Sequence, residues 1–168
     1  DFFKTQESYI KAFNNACKRV EKTGFIILDA DDKFSKNIEE GANAQTLKIS
    51  DKILNGKNFH YEKEIIHLNP DVPGKFNIRN SAFAAVIGKL LGIENEKIEK
   101  AISKFKGSWR RMELKTLHHL TNVKYYDDYG HLPAEIDVTL KAIREKHPTE
   151  KILAIFQPHQ FIRIRNYL

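Results

Sequence analysis

The stretch YYDDYGHLP, residues 125–133, decides the fold that this sequence predicts. Residues 122–126 are typical of a strand, and Pro133 lies where a helix can begin, because a proline in the first turn has no N–H to lose. Between strand and helix the chain places two carboxylates, a phenol and an imidazole. Open α/β folds bind ligands at the carboxyl ends of their strands. The stretch therefore predicts an α/β fold with a candidate site in this turn.

The residues after this stretch complete a strand–helix–strand pattern. A helix is indicated by three apolar residues on one face, Ile136, Leu140 and Ile143. The apolar run KILAIF, 151–156, is typical of a buried strand. Such a βαβ unit crosses over right-handed and leaves its strands parallel, so both strands end at one edge. We therefore expect Asp128 and His131 to lie near His159 and Arg163.

The residues before this stretch predict helices beside a small sheet. The first twenty residues have the pattern of one amphipathic helix, and 25–28 that of a buried strand. The acidic residues that follow are interpreted as turn residues, Asp29, Asp31 and Asp32. Short strands between 43 and 68, with a hairpin at Asn55-Gly56, predict an antiparallel sheet.

Two helices are predicted after that sheet. The first can be capped by Asn77 or Asn80 and ends at Gly92. The second runs from about 95 to 105 and buries its apolar residues, Ile98, Ile102 and Phe105.

The composition sets broad limits on function. The 168 residues are 41% hydrophobic and 30% charged, with a formal charge of +6 that favours anionic partners. The basic residues are scattered, so a solvated surface is preferred over a nucleic-acid patch. The single cysteine, Cys17, excludes an internal disulfide and is interpreted as a buried thiol. Neither a membrane-spanning run nor a signal peptide is present, so the cytoplasm is the expected compartment.

Four polar residues form a plausible nucleotide-handling set. The amides of Asn77 and Asn80 can hydrogen-bond a base edge, because an amide both donates and accepts. Arg111 offers a planar fork for phosphate, and Asp128 can accept from ribose hydroxyls. Each also has a purely structural interpretation, as a helix cap, a strand-surface charge or a turn residue. No phosphate-binding G-x-x-x-x-G-K-[ST] loop occurs in the chain.

Four ordered motifs resemble those of the Mur ligases, the ATP-dependent amide-bond-forming enzymes of peptidoglycan precursor synthesis. They are PGKFNIRN (73–80), FKGSWRRME (105–113), DDYGHLPAE (127–135) and FQPHQFIR (156–163). The family patterns are P-G-x-H-N-x-x-N, F-x-G-x-x-R-R-[FM]-E, D-D-Y-[GA]-H-H-P-T-E and F-Q-P-H-R-[YF]-x-R. Departures from these patterns include Phe76, Leu132 and Gln160. Gln160 stands where the family pattern has an arginine, so a fixed positive charge is absent at this position.

The resemblance implies a fold and a division of the chain. Residues 1–111 would be the later part of a P-loop-type central, ATP-binding domain with helices and a small antiparallel sheet. Residues 112–168 would be the start of a Rossmann-like C-terminal domain, with its first βαβ unit. The chain would then be a fragment, with the phosphate loop and the metal ligands of the family located before Asp1.

The same resemblance implies roles for individual residues. Asn77 and Asn80 would contact adenine, while Arg111 and Asp128 would hold ATP. The residues expected at the substrate are Tyr129, His131, His159, Gln160 and Arg163, of which His131 and Arg163 would be catalytic. The implied cofactors are ATP and Mg²⁺, with no metal ligand inside this chain.

The implied reaction joins L-alanine to UDP-N-acetylmuramate through an acyl phosphate, with small-molecule partners and neither nucleic acid nor membrane. The oligomeric state stays open. One alternative is the related ligase that recycles muropeptides by attaching a tripeptide, because the pair Arg111-Met112 also resembles that enzyme. A more distant alternative is a basic nucleic-acid-binding α/β module. The chain by itself is expected to be inactive.

Overall fold

A computed structural model describes residues 2–38, 43–115 and 123–158. The α-helices are α1 (Gln6–Lys18), α2 (Lys75–Leu90), α3 (Asn95–Ser103) and α4 (Pro133–Lys146). The strands are β1 (Phe25–Asp29), β2 (Gln45–Ile49), β3 (Leu54–Asn55), β4 (Asn58–Tyr61), β5 (Glu64–His67), β6 (Glu113–Lys115) and β7 (Tyr125–Asp127). A short 3₁₀ helix, Ser35–Asn37, lies between β1 and β2. The α/β fold class predicted from the sequence is confirmed.

Helix α1 confirms the predicted amphipathic helix. Thr5 caps it, because the Thr5 hydroxyl accepts from the Ser8 N–H at 3.1 Å while the Ser8 hydroxyl accepts from the Thr5 N–H at 3.3 Å. Cys17 is buried, as expected, whereas Tyr9 and Phe13 are exposed and pack edge to face, with 4.9 Å between ring centroids.

The strand pairing corrects one part of the sequence interpretation. β2 does not join the antiparallel sheet; it pairs in parallel with β1, from Phe25 opposite Gln45 to Asp29 opposite Ile49. The chain between the two strands is long enough for the crossover that a parallel pair requires. The antiparallel sheet itself is confirmed, in the order β3-β4-β5, and Gly56 takes a φ of 60° in the predicted hairpin turn.

The larger hydrophobic core lies between these strands and helices α2 and α3. Its buried members are Ile49, Phe59, Ile66, Leu68, Ala82, Ala85, Val86, Ile98 and Ile102. α2 ends as predicted, with Gly92 at a φ of 72°. Its start differs: Gly74 is the N-cap, so Asn77 and Asn80 lie inside the helix and do not cap it. Phe105 is 46% exposed, contrary to prediction, because α3 stops at Ser103.

A second, smaller core lies between α4 and the pair of strands β6 and β7. Its buried members are Met112, Ala142 and Ile143, and the residues packed against them are Phe76, Tyr126 and Ile152. β6 and β7 are antiparallel, with Glu113 opposite Asp127. α4 begins at Pro133, as the sequence predicts.

The predicted strand over 151–156 is wrong in this structure. These residues form neither helix nor strand, and Leu153 and Ile155 are 80% and 88% exposed. A strand requires a neighbour to receive its main-chain hydrogen bonds, and among the described residues β7 pairs only with β6. The parallel βαβ unit is therefore not formed by the described part of the chain. The expected approach of Asp128 and His131 to His159 and Arg163 involves residues outside the described ranges.

Candidate functional site

The turn after β7 is organised by the carboxylate of Asp128. Its Oδ1 accepts a hydrogen bond from the Gly130 N–H at 2.7 Å, and its Oδ2 accepts one from the Met112 N–H at 2.8 Å. A Cβ at position 130 would lie 2.7 Å from Asp128 Oδ1, so a larger residue there would require that carboxylate to shift. Asp128 thus joins the turn to the segment before β6. A carboxylate has about four acceptor positions, so capacity remains for a ligand hydroxyl.

The segment before β6 has an unusual backbone conformation. Arg110 and Met112 have φ angles of 52° and 47°, in the left-handed region that residues other than glycine rarely adopt. The Arg110 carbonyl accepts from the Tyr129 N–H at 2.8 Å, and the Arg110 N–H donates to Glu113 Oε2 at 2.9 Å. These hydrogen bonds make one structural unit of the segment before β6 and the turn after β7.

Two guanidinium groups lie beside the ring of Tyr129. Arg110 is 5.1 Å from the centre of this ring and 5.6 Å from that of Trp109, and Arg111 is 5.9 Å from the Tyr129 ring. Arg110 also lies 3.5 Å from Asp127 Oδ2. The side chain of Arg111 is 54% exposed. An exposed planar fork of this kind suits an anionic phosphate group.

The start of α4 places His131 next to the same ring. Glu135 Oε2 accepts from the N–H groups of His131 at 3.0 Å and Leu132 at 3.2 Å. The hydrogen bond from His131 is the main reason that the pKa of Glu135 lies below its ordinary value, and Leu132 and Arg111 add to this effect. The imidazole meets the Tyr129 ring edge to face, with 5.4 Å between centroids.

The two asparagines predicted to contact a base lie in the first half of α2. The Asn77 side-chain amide donates to the Pro73 carbonyl at 2.6 Å, and Asn80 is exposed. Phe76 packs against the smaller core, which contains Met112. The start of the helix that carries both asparagines therefore packs against the core to which Met112, the neighbour of Arg111, belongs.

The structure brings four of the predicted site residues into one region: Arg111, Asp128, Tyr129 and His131. His159, Gln160 and Arg163 lie outside the described residues.

Sequence reasoning missed the role of Arg79. Its guanidinium contacts Asp29 at 2.9 Å, Asp31 at 2.6 Å and Asp51 at 2.5 Å. The hydrogen bonds from Arg79 and from the Asp51 N–H lower the pKa of Asp31. The signal in the sequence was the acidic group after β1, which was interpreted only as a turn. The ion pairs fasten α2 to the end of the parallel strands.

A second polar cluster has no signal in the sequence, because its two halves, at 124–126 and 147–150, are far apart along the chain. The Tyr126 hydroxyl lies 2.9 Å from Nε2 of His147, which is buried at the end of α4. The other ring nitrogen of His147 lies 3.3 Å from Glu150 Oε1 and 3.3 Å from Lys124 Nζ. This cluster fastens the far end of α4 to β7.

Metal-ligating side chains are not clustered in the described residues. Among them, no group of three His, Cys, Asp or Glu side chains could hold a metal ion.

A cavity of about 90 Å³ lies beside β1 and β2, with Leu28, Ala30, Ser35 and Lys48 in its wall, and none of these belongs to the turn after β7. None of the described helices is long and apolar enough to cross a membrane.

Relatives in sequence and solved structures indicate one family, although no family model matches the chain. Over its whole length the chain is 32% identical to UDP-N-acetylmuramate–L-alanine ligase from Caldicellulosiruptor bescii and 31% identical to the enzyme of that name from Caldanaerobacter subterraneus. It covers 40% and 39% of these relatives, so it spans about two fifths of their length.

Solved structures share the fold. UDP-N-acetylmuramate-alanine ligase from Thermotoga maritima matches 94% of this chain with a TM-score of 0.70 and 24% identity, over 38% of its own length. A murein peptide ligase from Psychrobacter arcticus matches 90% of the chain with a TM-score of 0.61 and 22% identity, over 35% of its own length. The whole-length sequence similarity, together with this shared fold, means that the chain belongs to the Mur ligase family.

Proposed function

We propose that the polypeptide carrying this chain is an ATP-dependent ligase that joins L-alanine to UDP-N-acetylmuramate during peptidoglycan precursor synthesis. The observation that carries the proposal is the similarity of the whole chain to relatives named for this reaction. The gathering of Arg111, Asp128, Tyr129 and His131 supports it, since these residues belong to the motifs on which the resemblance rests.

The division of the chain is part of this proposal. Residues 1–111 belong to the central, ATP-binding domain and residues 112–168 to the C-terminal domain. Two separate hydrophobic cores support a boundary here. In the sequence, the last buried residue of the larger core is Ile102 and the first buried residue of the smaller core is Met112. Phe76 is an exception, because it precedes Ile102 yet packs against the smaller core. The boundary then coincides with the left-handed residues on either side of Arg111.

The nucleotide is held by residues from both parts of the chain. Asn77 and Asn80 contact the adenine base, because amides can donate to and accept from its edge. Arg111 binds a phosphate group through its exposed guanidinium. Asp128 accepts from the ribose through the lone pairs that Gly130 and Met112 leave available.

The reacting groups meet on the side of Tyr129 and His131, together with His159, Gln160 and Arg163. The γ-phosphoryl group of ATP passes to a carboxylate oxygen of UDP-N-acetylmuramate, which gives an acyl phosphate and ADP. The amino group of L-alanine then attacks the acyl carbon, and phosphate leaves with its bonding electrons. Both steps develop negative charge on oxygen, so the main catalytic demand is charge stabilisation. We assign this role to His131 and Arg163 as the catalytic residues.

Magnesium would neutralise charge on the phosphates of ATP, and its ligands are proposed to lie outside the described residues. The partners are proposed to be small molecules rather than nucleic acid or membrane, and the compartment to be the cytoplasm.

The test is phosphate release from ATP by the natural polypeptide that carries this sequence. Release should require both UDP-N-acetylmuramate and an amino acid, with L-Ala preferred over L-Ser and Gly. A muropeptide tripeptide is the competing substrate. Faster release with the tripeptide than with L-Ala would replace the proposed function by the recycling reaction. Release that does not depend on UDP-N-acetylmuramate would reject both.

A further inference from the structure

Arg111 stands between two residues in an unfavourable backbone conformation. Arg110 has a φ of 52° and Met112 a φ of 47°. A residue with a side chain keeps such a conformation only where its surroundings hold it, and positions of this kind are concentrated at functional sites. Two of them around a single exposed arginine require a structural cause.

The cause lies in two carboxylates, one on each side of Arg111. Glu113 Oε2 accepts from the N–H of Arg110 at 2.9 Å, and Asp128 Oδ2 accepts from the N–H of Met112 at 2.8 Å. The other oxygen of Glu113 lies 2.7 Å from Lys115 Nζ. The two carboxylates thus fix the main chain immediately before and immediately after Arg111.

The side-chain direction of Arg111 follows from this backbone, since the Cα–Cβ bond is set by the main chain on both sides. The guanidinium lies 5.9 Å from the centre of the Tyr129 ring and 4.0 Å from Glu135 Oε1, on the side of the turn after β7. More than half of the side chain stays exposed. The backbone therefore fixes the direction in which this side chain leaves the main chain, and the exposed part remains accessible to an anionic ligand.

We propose that Glu113 and Asp128 form a two-carboxylate clasp that directs Arg111 toward a phosphate group of the nucleotide. Glu113 is then a positioning residue that acts on the nucleotide only through Arg111. This inference rests on the proposed function, in which Arg111 contacts ATP.

A double-mutant cycle between Glu113 and Arg111 tests this role. The Michaelis constant for ATP is measured in the natural polypeptide that carries this sequence. Glu113→Ala should raise it about tenfold, which corresponds to about 1.4 kcal/mol. Glu113→Gln should raise it less than about threefold, because the amide oxygen can still accept from the Arg110 N–H. Asp137→Asn is the matched control, since Asp137 is an exposed carboxylate paired with Lys141 on α4.

The decisive comparison is made in the Arg111→Ala background. There, Glu113→Ala should raise the Michaelis constant by less than about twofold, because residues that act through one another are not additive. A further tenfold rise in that background would overturn the positioning role. A loss of thermal stability in Glu113→Ala with an unchanged Michaelis constant would overturn it as well.

Amide hydrogen exchange on the natural polypeptide that carries this sequence separates the clasp from the proposed function. The Arg110 and Met112 amides should be protected in the wild type, and the Arg110 amide should lose protection in Glu113→Ala but keep it in Asp137→Asn. Absence of ATP consumption by the wild-type natural polypeptide that carries this sequence would overturn the proposed function and the role toward phosphate. If the Arg110 amide of the wild type exchanged as fast as an amide in an unfolded peptide, the clasp itself would be overturned.

Discussion

The main-chain N–H of Met112 donates a 2.8 Å hydrogen bond to Oδ2 of Asp128, and this bond joins the segment before β6 to the turn after β7. The other oxygen of the same carboxylate accepts from Gly130. Asp128 therefore has a structural role in addition to the contact with ribose that we propose for it.

Replacement of Asp128 by Asn should destabilise the chain. The side-chain amide offers one oxygen to two N–H donors, so either Met112 or Gly130 loses its partner. Leaving a polar group without a partner costs about 1–3 kcal/mol when it is buried, and we expect the lower end because Asp128 is half-buried. Urea unfolding measures the change in the free energy of unfolding. Asp128→Asn with the stability of the wild type would show that the two hydrogen bonds do not hold the turn.

Phe76 should contribute more to stability than Phe105, the first residue of the motif at 105–113. Phe76 packs on the smaller core, which includes Met112 and Ala142. Phe76→Ala should lower the free energy of unfolding by about 1–3 kcal/mol, less than full burial would give because the ring is half-buried. Phe105→Ala is the control, since Phe105 is exposed and a change of no more than about 0.5 kcal/mol is expected at such positions. Equal effects of the two substitutions would contradict the contact.

Glu150 should make the stability of the chain depend on pH in the acidic range. A hydrogen bond from its own N–H, followed by one with His147, lowers the pKa of Glu150 from 4.5 to about 2. The ionised form therefore stabilises the fold. This contribution is complete above pH 4.5 and is lost as the pH falls toward 2.

The unfolding midpoint of the wild type in urea should accordingly fall more steeply between pH 5 and pH 2 than that of Glu150→Gln. Glu145→Gln, at an exposed position on α4, is the control and should follow the wild type. Parallel curves for the wild type and Glu150→Gln would mean that the ionised form of Glu150 does not stabilise the fold.

The 168-residue chain alone should bind ATP weakly, with a dissociation constant in the millimolar range or above. A hydrogen bond to a charged group contributes about 1.5–3 kcal/mol, and only Asn77, Asn80, Arg111 and Asp128 are proposed to contact the nucleotide. The loss of translational and rotational freedom on association costs about 4–15 kcal/mol, which offsets most of the free energy that these contacts provide. Isothermal calorimetry measures the constant. Micromolar binding would mean that the described residues hold far more of the nucleotide site than we propose.

The sequence predicts local elements well where a single local rule decides them. Pro133 starts α4, Asn55-Gly56 turns the hairpin, and Gly92 ends α2, in each case because the conformation of one residue is restricted or unusually free. The core face of α3 was also predicted, apart from Phe105.

Pairing between distant segments could not be predicted in the same way. The partner of β2 is β1, the strand before it, rather than β3, the strand after it, and apolar alternation does not reveal that choice. The run 151–156 has the composition of a buried strand, yet composition does not supply the neighbouring strand that it needs. The contacts of Arg79 and of Tyr126 with His147 likewise depend on the tertiary fold.

The sequence predicted which residues belong to the candidate site, but not the hydrogen bonds and backbone conformations that join them. Asp128 and Arg111 were expected to share a ligand, and the structure adds that Asp128 also binds the main chain of Met112. Nothing in the pattern of residues indicated the left-handed conformations of Arg110 and Met112, because neither is a glycine.

The most direct measurement of the central claim follows an isotope through the reaction. UDP-N-acetylmuramate carrying ¹⁸O in its carboxylate is incubated with ATP, L-alanine and the natural polypeptide that contains this sequence, and the products are analysed by mass spectrometry. Reaction through an acyl phosphate predicts UDP-N-acetylmuramoyl-L-alanine together with phosphate that has gained one ¹⁸O atom per turnover. Formation of no such product, or of phosphate without ¹⁸O, would contradict the proposed function.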